Sequence, residues 1–229
     1  MQPQLVPYFS LESGKEMEQQ QQEGSIQFDL EHFTGPALPE NTLDQLMGWH
    51  EIMHKIGLVG HDPHRYGGFA YGNMSVRHAK NQFIISGTQT SGLTKLTPDD
   101  YSIVEQCFPT RNKVVSTGPT HPSSECMTHS VIYASHYNVG AIIHVHSPLI
   151  WQHYAELELP CTSAIVPYGT PQMATAIRVC VHSPIGLVAM LGHEDGVVAY
   201  GVNLEQVGTI LLKTLARASC LAKQADCVS

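Results

Sequence analysis

Between Val139 and Ser147 the chain reads Val-Gly-Ala-Ile-Ile-His-Val-His-Ser, a short apolar run ending in two histidines one residue apart. No other segment restricts the fold as tightly. A run of this length and apolarity reads as a buried strand over Ala141 to His146. Side chains alternate along a strand, so His144 and His146 share one face, at a separation from which both can reach a single ion. Two such imidazoles supply two of the three protein ligands of a catalytic zinc-type site. The bare pattern is equally open to one histidine in a core and the other in solvent, so its meaning depends on the residues around it.

Upstream stands Pro122-Ser123-Ser124-Glu125-Cys126-Met127-Thr128-His129. Serine is a favoured helix cap, and the spacing predicts a helix capped by Ser123 or Ser124 that runs to about His136. A helix start is also a ready anion site. Glu125 and His129 are four apart and would share a face. The carboxylate can then be a general base, a further metal ligand, or simply a favourable charge at the helix dipole.

The remaining pattern mixes strands and helices. Ile26, Phe28 and Leu30 alternate as in a short strand, and a helix follows from a cap at Asn41 or Thr42 to Gly57. Met74 to Arg77 and Gln82 to Ser86 read as a hairpin, and Tyr101 to Gln106 as a strand. A helix starts at Pro171, Gly186 to Leu191 and Gly196 to Tyr200 flank a turn, and Leu204 to Lys223 form a last amphipathic helix. The expectation is an α/β domain over 26–229 with a mixed, largely antiparallel central sheet covered by helices. Residues 1–25, with four consecutive glutamines and no apolar period, read as a disordered or loosely held arm.

Twelve Lys and Arg against twenty Asp and Glu give a formal charge of −8, which disfavours a nucleic-acid partner. The absence of a long apolar stretch or a signal-like N-terminus points to a cytoplasmic chain with no membrane partner. The six scattered cysteines fit buried reduced thiols better than a disulfide framework or a zinc ribbon.

These blocks together resemble the class II aldolase/adducin family, whose best-known enzymes cleave ketose 1-phosphates such as those of fuculose and rhamnulose. The similar segments are Gly72-Asn73-Met74-Ser75-Val76-Arg77, Phe83 to Thr88 through Leu96 to Asp100, Pro122 to Glu125 with His129, Val139 to Ser147, and Gly196 to Glu205. They span about Leu43 to Ala218 in order. The resemblance implies a three-layer α/β/α sandwich and a small-molecule substrate, a hydroxy-ketone or sugar phosphate. It implies a divalent metal, zinc first, on His144, His146 and a third histidine from the late strand. It also implies Glu125 as catalytic acid/base, Asn73, Ser123 and Ser124 around a substrate phosphate, and a homotetramer with sites near subunit contacts.

Three departures bear on those implications. The family's late motif ends His-Gly, whereas this chain has Gly192-His193-Glu194-Asp195-Gly196. Ungapped alignment puts Asp195 at the third ligand; a two-residue bulge puts His193 there, and three neutral imidazoles suit zinc better. The phosphate loop reads Gly87-Thr88-Gln89-Thr90-Ser91-Gly92, where the Thr88 and Thr90 hydroxyls can still meet an anion. The family's late tyrosine proton donor has no counterpart after Tyr200, which leaves Tyr168 as a stand-in. The expected reaction is reversible aldol cleavage through a metal-stabilised enediolate. The rivals are an epimerase, dehydratase or decarboxylase of the same superfamily, or a non-catalytic adducin-like assembly domain.

Overall fold

Ten strands and five α-helices form among residues 25–226, the part of the chain that the computed structural model describes. In order they are β1 (Asp29–Thr34), α1 (Glu40–Lys55), β2 (Gly60–His61), β3 (Ala70–Tyr71), β4 (Asn73–Ala79), β5 (Gln82–Ser86), β6 (Tyr101–Phe108) and β7 (Lys113–Gly118). Then follow α2 (Cys126–Ser135), β8 (Ala141–His146), α3 (Pro148–Gln152), α4 (Pro171–Cys180), β9 (Gly186–Ala189), β10 (Gly196–Gly201) and α5 (Leu204–Asp226). Eight strands form one sheet in the order β1-β7-β6-β5-β4-β8-β10-β9, while β2 and β3 pair separately. Only the β1–β7 pair within the large sheet is parallel.

Each face of the sheet carries its own core. Phe83, Ile85, Val104, Ile142 and Val198 pack with Met127 and Ile132 of α2 and Met173 and Ile177 of α4. On the other face Ile84, Ile143, Val145, Val197 and Ala199 pack with Leu43 and Leu46 of α1, Ile150 of α3, and Val207 and Leu211 of α5. The result is the expected α/β/α sandwich around a largely antiparallel sheet.

Several boundaries differ from the sequence reading. Helix α1 begins at Glu40 with Pro39 as its cap residue, ahead of Asn41 and Thr42. Strand β7 was not anticipated, because its inward positions are Val114, Ser116 and Gly118, and only the first is apolar. Helix α3 also escaped notice: it is five residues long, opened by a Ser147 cap and Pro148. The arm expected over residues 1–25 lies, apart from Ser25, outside the described residues. None of the described helices is long and apolar enough to cross a membrane. The five described cysteines are free, and burial pushes the Cys107 thiol up to about 11 and raises those of Cys126 and Cys180.

Arg77, in β4, has a structural task. Its guanidinium donates to the carbonyls of Val139 (2.8 Å), Tyr133 (2.9 Å), His136 (3.3 Å) and Lys80 (2.9 Å), and lies over the Tyr133 ring. Two of these carbonyls belong to the C-terminal turn of α2, where helix carbonyls lack internal partners. Arg77→Met should therefore lower stability by about 1–3 kcal/mol. The denaturant midpoint should fall at unchanged m-value, and Arg77→Lys, lacking the planar fork, should recover only part of the loss.

Candidate metal centre and active site

Strand β8 is hydrogen-bonded on both sides, to β4 and β10, and all six of its residues are buried. Ala141, Ile143 and Val145 face the α1/α3/α5 core, and Ile142 faces the α2/α4 core. His144 and His146 continue the Ile142 row by strand alternation, with ring centroids 5.3 Å apart.

The third imidazole comes from the turn between β9 and β10. The His193 N–H donates to Met190 O (2.9 Å), and the Gly196 N–H donates to His193 O (3.0 Å). This turn carries the His193 ring to 5.0 Å from that of His144 and 4.6 Å from that of His146. One ring nitrogen from each of the three lies within 4.8 Å of the others, and all three residues are buried. Gly196 pairs with His146 across the sheet, and a Cβ on it would come within 3.0 Å of the His193 ring. A side chain at that position would displace the imidazole.

Asp195, the alternative third ligand, is drawn elsewhere. Its carboxylate accepts from the Tyr66 hydroxyl (2.8 Å) and pairs with Arg65. It is also the turn residue before Gly196, with φ +59. Left-handed backbone is costly for a residue with a Cβ and persists where surrounding contacts over-determine it.

Glu125 is 2% exposed at the start of α2. The helix begins at Cys126, later than expected, so Glu125 itself occupies the cap position and Ser123 and Ser124 lie in the turn before it. Ser123 Oγ accepts the Glu125 N–H at 3.3 Å. The Glu125 carboxylate bridges two of the imidazoles, with Oε2 2.5 Å from His144 Nδ1 and Oε1 3.1 Å from His193 Nδ1. Burial by itself would raise its pKa, but the His144 and His193 rings outweigh burial and hold the carboxyl well below its ordinary range. Asn73, cross-strand partner of His144, adds a donor to Glu125 Oε2 at 3.4 Å.

The expected substrate groups separate into two sets. Asn73, Ser123, Ser124 and Thr88 line a small cavity of about 10 Å³ beside Glu125, with Gln89 and Ser91 as further walls. Thr90 spends its hydroxyl on Gly87 O at 2.8 Å. Tyr168 stacks on the His193 ring, centroids 4.2 Å apart and planes 16° apart. His129 is fully buried and shares a hydrogen bond with Ser75 Oγ (2.7 Å), which also meets the Tyr133 hydroxyl (2.8 Å). Arg65, Tyr66 and Tyr71 were missed. Arg65 and Tyr66 lie in a polar loop with a Gly67-Gly68 pair, the available signal of unusual backbone beside a site, and both glycines have positive φ; Tyr71 lies in β3 just after it.

The donor set fits a divalent ion. With His144 Nδ1 engaged by Glu125, its Nε2 is buried and lacks a hydrogen-bond partner. An orphaned buried nitrogen is costly, and a carboxylate on the far nitrogen is the usual second partner of a metal-bound histidine. Three imidazoles around a partly open position suit zinc or a similar borderline ion.

Comparison with known proteins bears on the family and the fold. A family model described as "Class II Aldolase and Adducin N-terminal domain" matches residues 62–212. Among solved structures, an L-fuculose 1-phosphate aldolase shares 20% identity at TM-score 0.60, covering 82% of this chain and 89% of its own. A sugar-phosphate aldolase from Thermotoga maritima shares 13% at TM-score 0.63, covering 82% and 96%. YgbL from Klebsiella pneumoniae, whose name spans aldolase, epimerase and decarboxylase, shares 18% at TM-score 0.55, covering 79% and 89%.

The buried rings give stability a definite pH dependence. Burial first, then the neighbouring His144, lowers the His129 pKa to about 3; burial, then His193 and His144, places that of His146 well below 6.5. Folded pKa values below the unfolded one mean that the unfolded chain takes up protons first, so stability is full above pH 6.5 and declines below it. For His129 the loss between pH 6.5 and pH 5 should be about 2 kcal/mol. Urea midpoints of the chelator-dialysed protein should fall over that window, and His129→Gln, less stable at pH 7.5, should lose less on acidification.

Proposed function

This chain belongs to the class II aldolase and adducin family, and on that premise we propose that it is a metal-dependent lyase that reversibly cleaves a small hydroxy-ketone by aldol chemistry. The observation that carries the reading is the convergence of His144, His146 and His193 with the Glu125 carboxylate in one buried cluster. A divalent ion on the three imidazoles, zinc by the nature of the donors, supplies Lewis-acid polarisation of a substrate carbonyl.

The chain's own groups account for the proton transfers. Glu125, beside the His144 and His193 rings, accepts the proton from the hydroxyl on the carbon that leaves as an aldehyde. The electron pair of the broken carbon–carbon bond stays with the ketone fragment. The Glu125 carboxyl then returns the proton to that fragment's carbon. Asn73 steadies Glu125 Oε2, and the hydroxyls of Ser123, Ser124 and Thr88 offer donors to substrate oxygens. Tyr168 shields the His193 ring from water and is assigned no proton transfer; Thr90 and His129 hold the loop and helix behind the site.

The names of the fuculose- and sugar-phosphate aldolases suggest a phosphorylated substrate. The hydroxyls of Ser123, Ser124 and Thr88 in the cavity beside Glu125 are the groups that would meet such a phosphate. The same resemblance extends the proposal to a homotetramer in the cytoplasm.

Protein purified without added zinc should hold close to one divalent ion per chain, and His193→Ala should lose it. Incubated with a panel of ketoses and ketose phosphates, the loaded protein should release an aldehyde that chelation abolishes. Glu125→Gln should lower kcat by roughly 10²- to 10⁴-fold. Turnover without carbon–carbon cleavage would instead indicate an epimerase, dehydratase or decarboxylase. A chain that neither holds nor takes up metal would be an adducin-like assembly domain.

A further inference from the structure

Asp195 is bound from three directions. Its carboxylate takes the Arg65 guanidinium and, at 2.8 Å, the Tyr66 hydroxyl, both from the loop between β2 and β3. Its backbone carbonyl accepts the Ser147 N–H at 2.8 Å, immediately after His146. Two residues before it stands His193. One residue therefore joins the 62–68 loop, the end of β8 and the turn that carries the third imidazole.

Tyr66 completes the connection. Its ring meets His146 edge-on at 4.3 Å and Tyr71 at 4.9 Å, and Tyr71 lies 5.3 Å from His146. Both ends of the Tyr66–Asp195 hydrogen bond sit at left-handed backbone, φ +52 and φ +59, and both side chains are buried. Arg65 covers the Tyr66 ring at 4.7 Å and is part-exposed, so it closes the cluster on its solvent side. The Glu194-Asp195 pair that lengthens the turn thus brings a carboxylate to the loop that packs on His146. Backbone strain that persists because its surroundings over-determine it marks a place where position matters.

We propose that Arg65, Tyr66 and Asp195 form a positioning clamp that fixes the His146 and His193 rings in the arrangement needed to hold a divalent ion. The proposal rests on the metal reading above and assigns Asp195 as an anchor behind the ligands. The clamp acts through two contacts: the Tyr66 ring against His146, and the Asp195 turn that aims His193. Groups behind metal ligands commonly set affinity by 10- to 100-fold.

The test uses the full chain, stripped by chelation and titrated with cobalt(II) against a competing chelating dye. Tyr66→Phe keeps the ring beside His146 and removes the hydroxyl; Asp195→Asn keeps the shape and tolerates the left-handed backbone. Each variant should bind cobalt about 10- to 100-fold more weakly than the parent, with a shifted visible absorption band. Their combination should be no weaker than Asp195→Asn alone, because the hydroxyl acts through that carboxylate. Arg65→Lys, retaining the charge, should recover most of the affinity lost in Arg65→Ala. A merely stabilising contact would lower the melting temperature and leave affinity and band unchanged in the folded protein. If Tyr66→Phe and Asp195→Asn match the parent while His193→Ala binds nothing, the clamp fails and the metal reading stands. If the parent itself binds no cobalt, both fall.

Discussion

The register of β8 between β4 and β10 is the constraint on which the site depends. Val198 faces His144 on one side and Asn73 faces it on the other. A slip of one residue would turn the histidine row onto the α1/α3/α5 core and bring Val145 to Glu125. The slip is resisted because each face of β8 has its own apolar cluster, with Ala141, Ile143 and Val145 on one side and Ile142 on the other. The packing that stabilises the sheet therefore also aims the imidazoles.

Placing a carboxylate among three buried rings opposes stability. Ionised groups lose hydration on burial, and the loss is offset only when partners are close and well oriented. Here one carboxylate oxygen lies 2.5 Å from His144 Nδ1 and the other 3.1 Å from His193 Nδ1. The members of the cluster come from β8, the turn between β9 and β10, and the start of α2. Such a cluster is held by its frame more than by its own attraction.

Much of this was legible in the chain. The period-two pattern through His144 and His146, the serine-flanked Glu125 and the hairpin of β4 and β5 all follow from local rules of strand alternation, helix starts and turns. His193 was preferred to Asp195 on donor chemistry alone, because spacing did not separate them; in the fold Asp195 is engaged by Arg65 and Tyr66, about 130 positions away in sequence. Strand β7 was hidden for a related reason. Ser116 faces inward because His32 of the distant strand β1 bonds its hydroxyl at 2.9 Å, a pairing invisible to periodicity. The late start of α2 likewise depends on the Ser123 N–H bonding Ser86 O, across more than thirty residues.

His144, His146 and Glu125 stand on or directly beside regular elements and His193 on a short turn tied to them by hydrogen bonds, whereas the walls at Thr88, Gln89 and Ser91 belong to the connection between β5 and β6. Connections of that kind accept substitutions and changes of length that a central strand does not. Selection acting on this lineage can therefore alter which compound is admitted while the reactive cluster stays in place. Divergence of substrate range should run ahead of divergence in chemistry, and relatives with unlike appetites can share one unchanged set of inner residues.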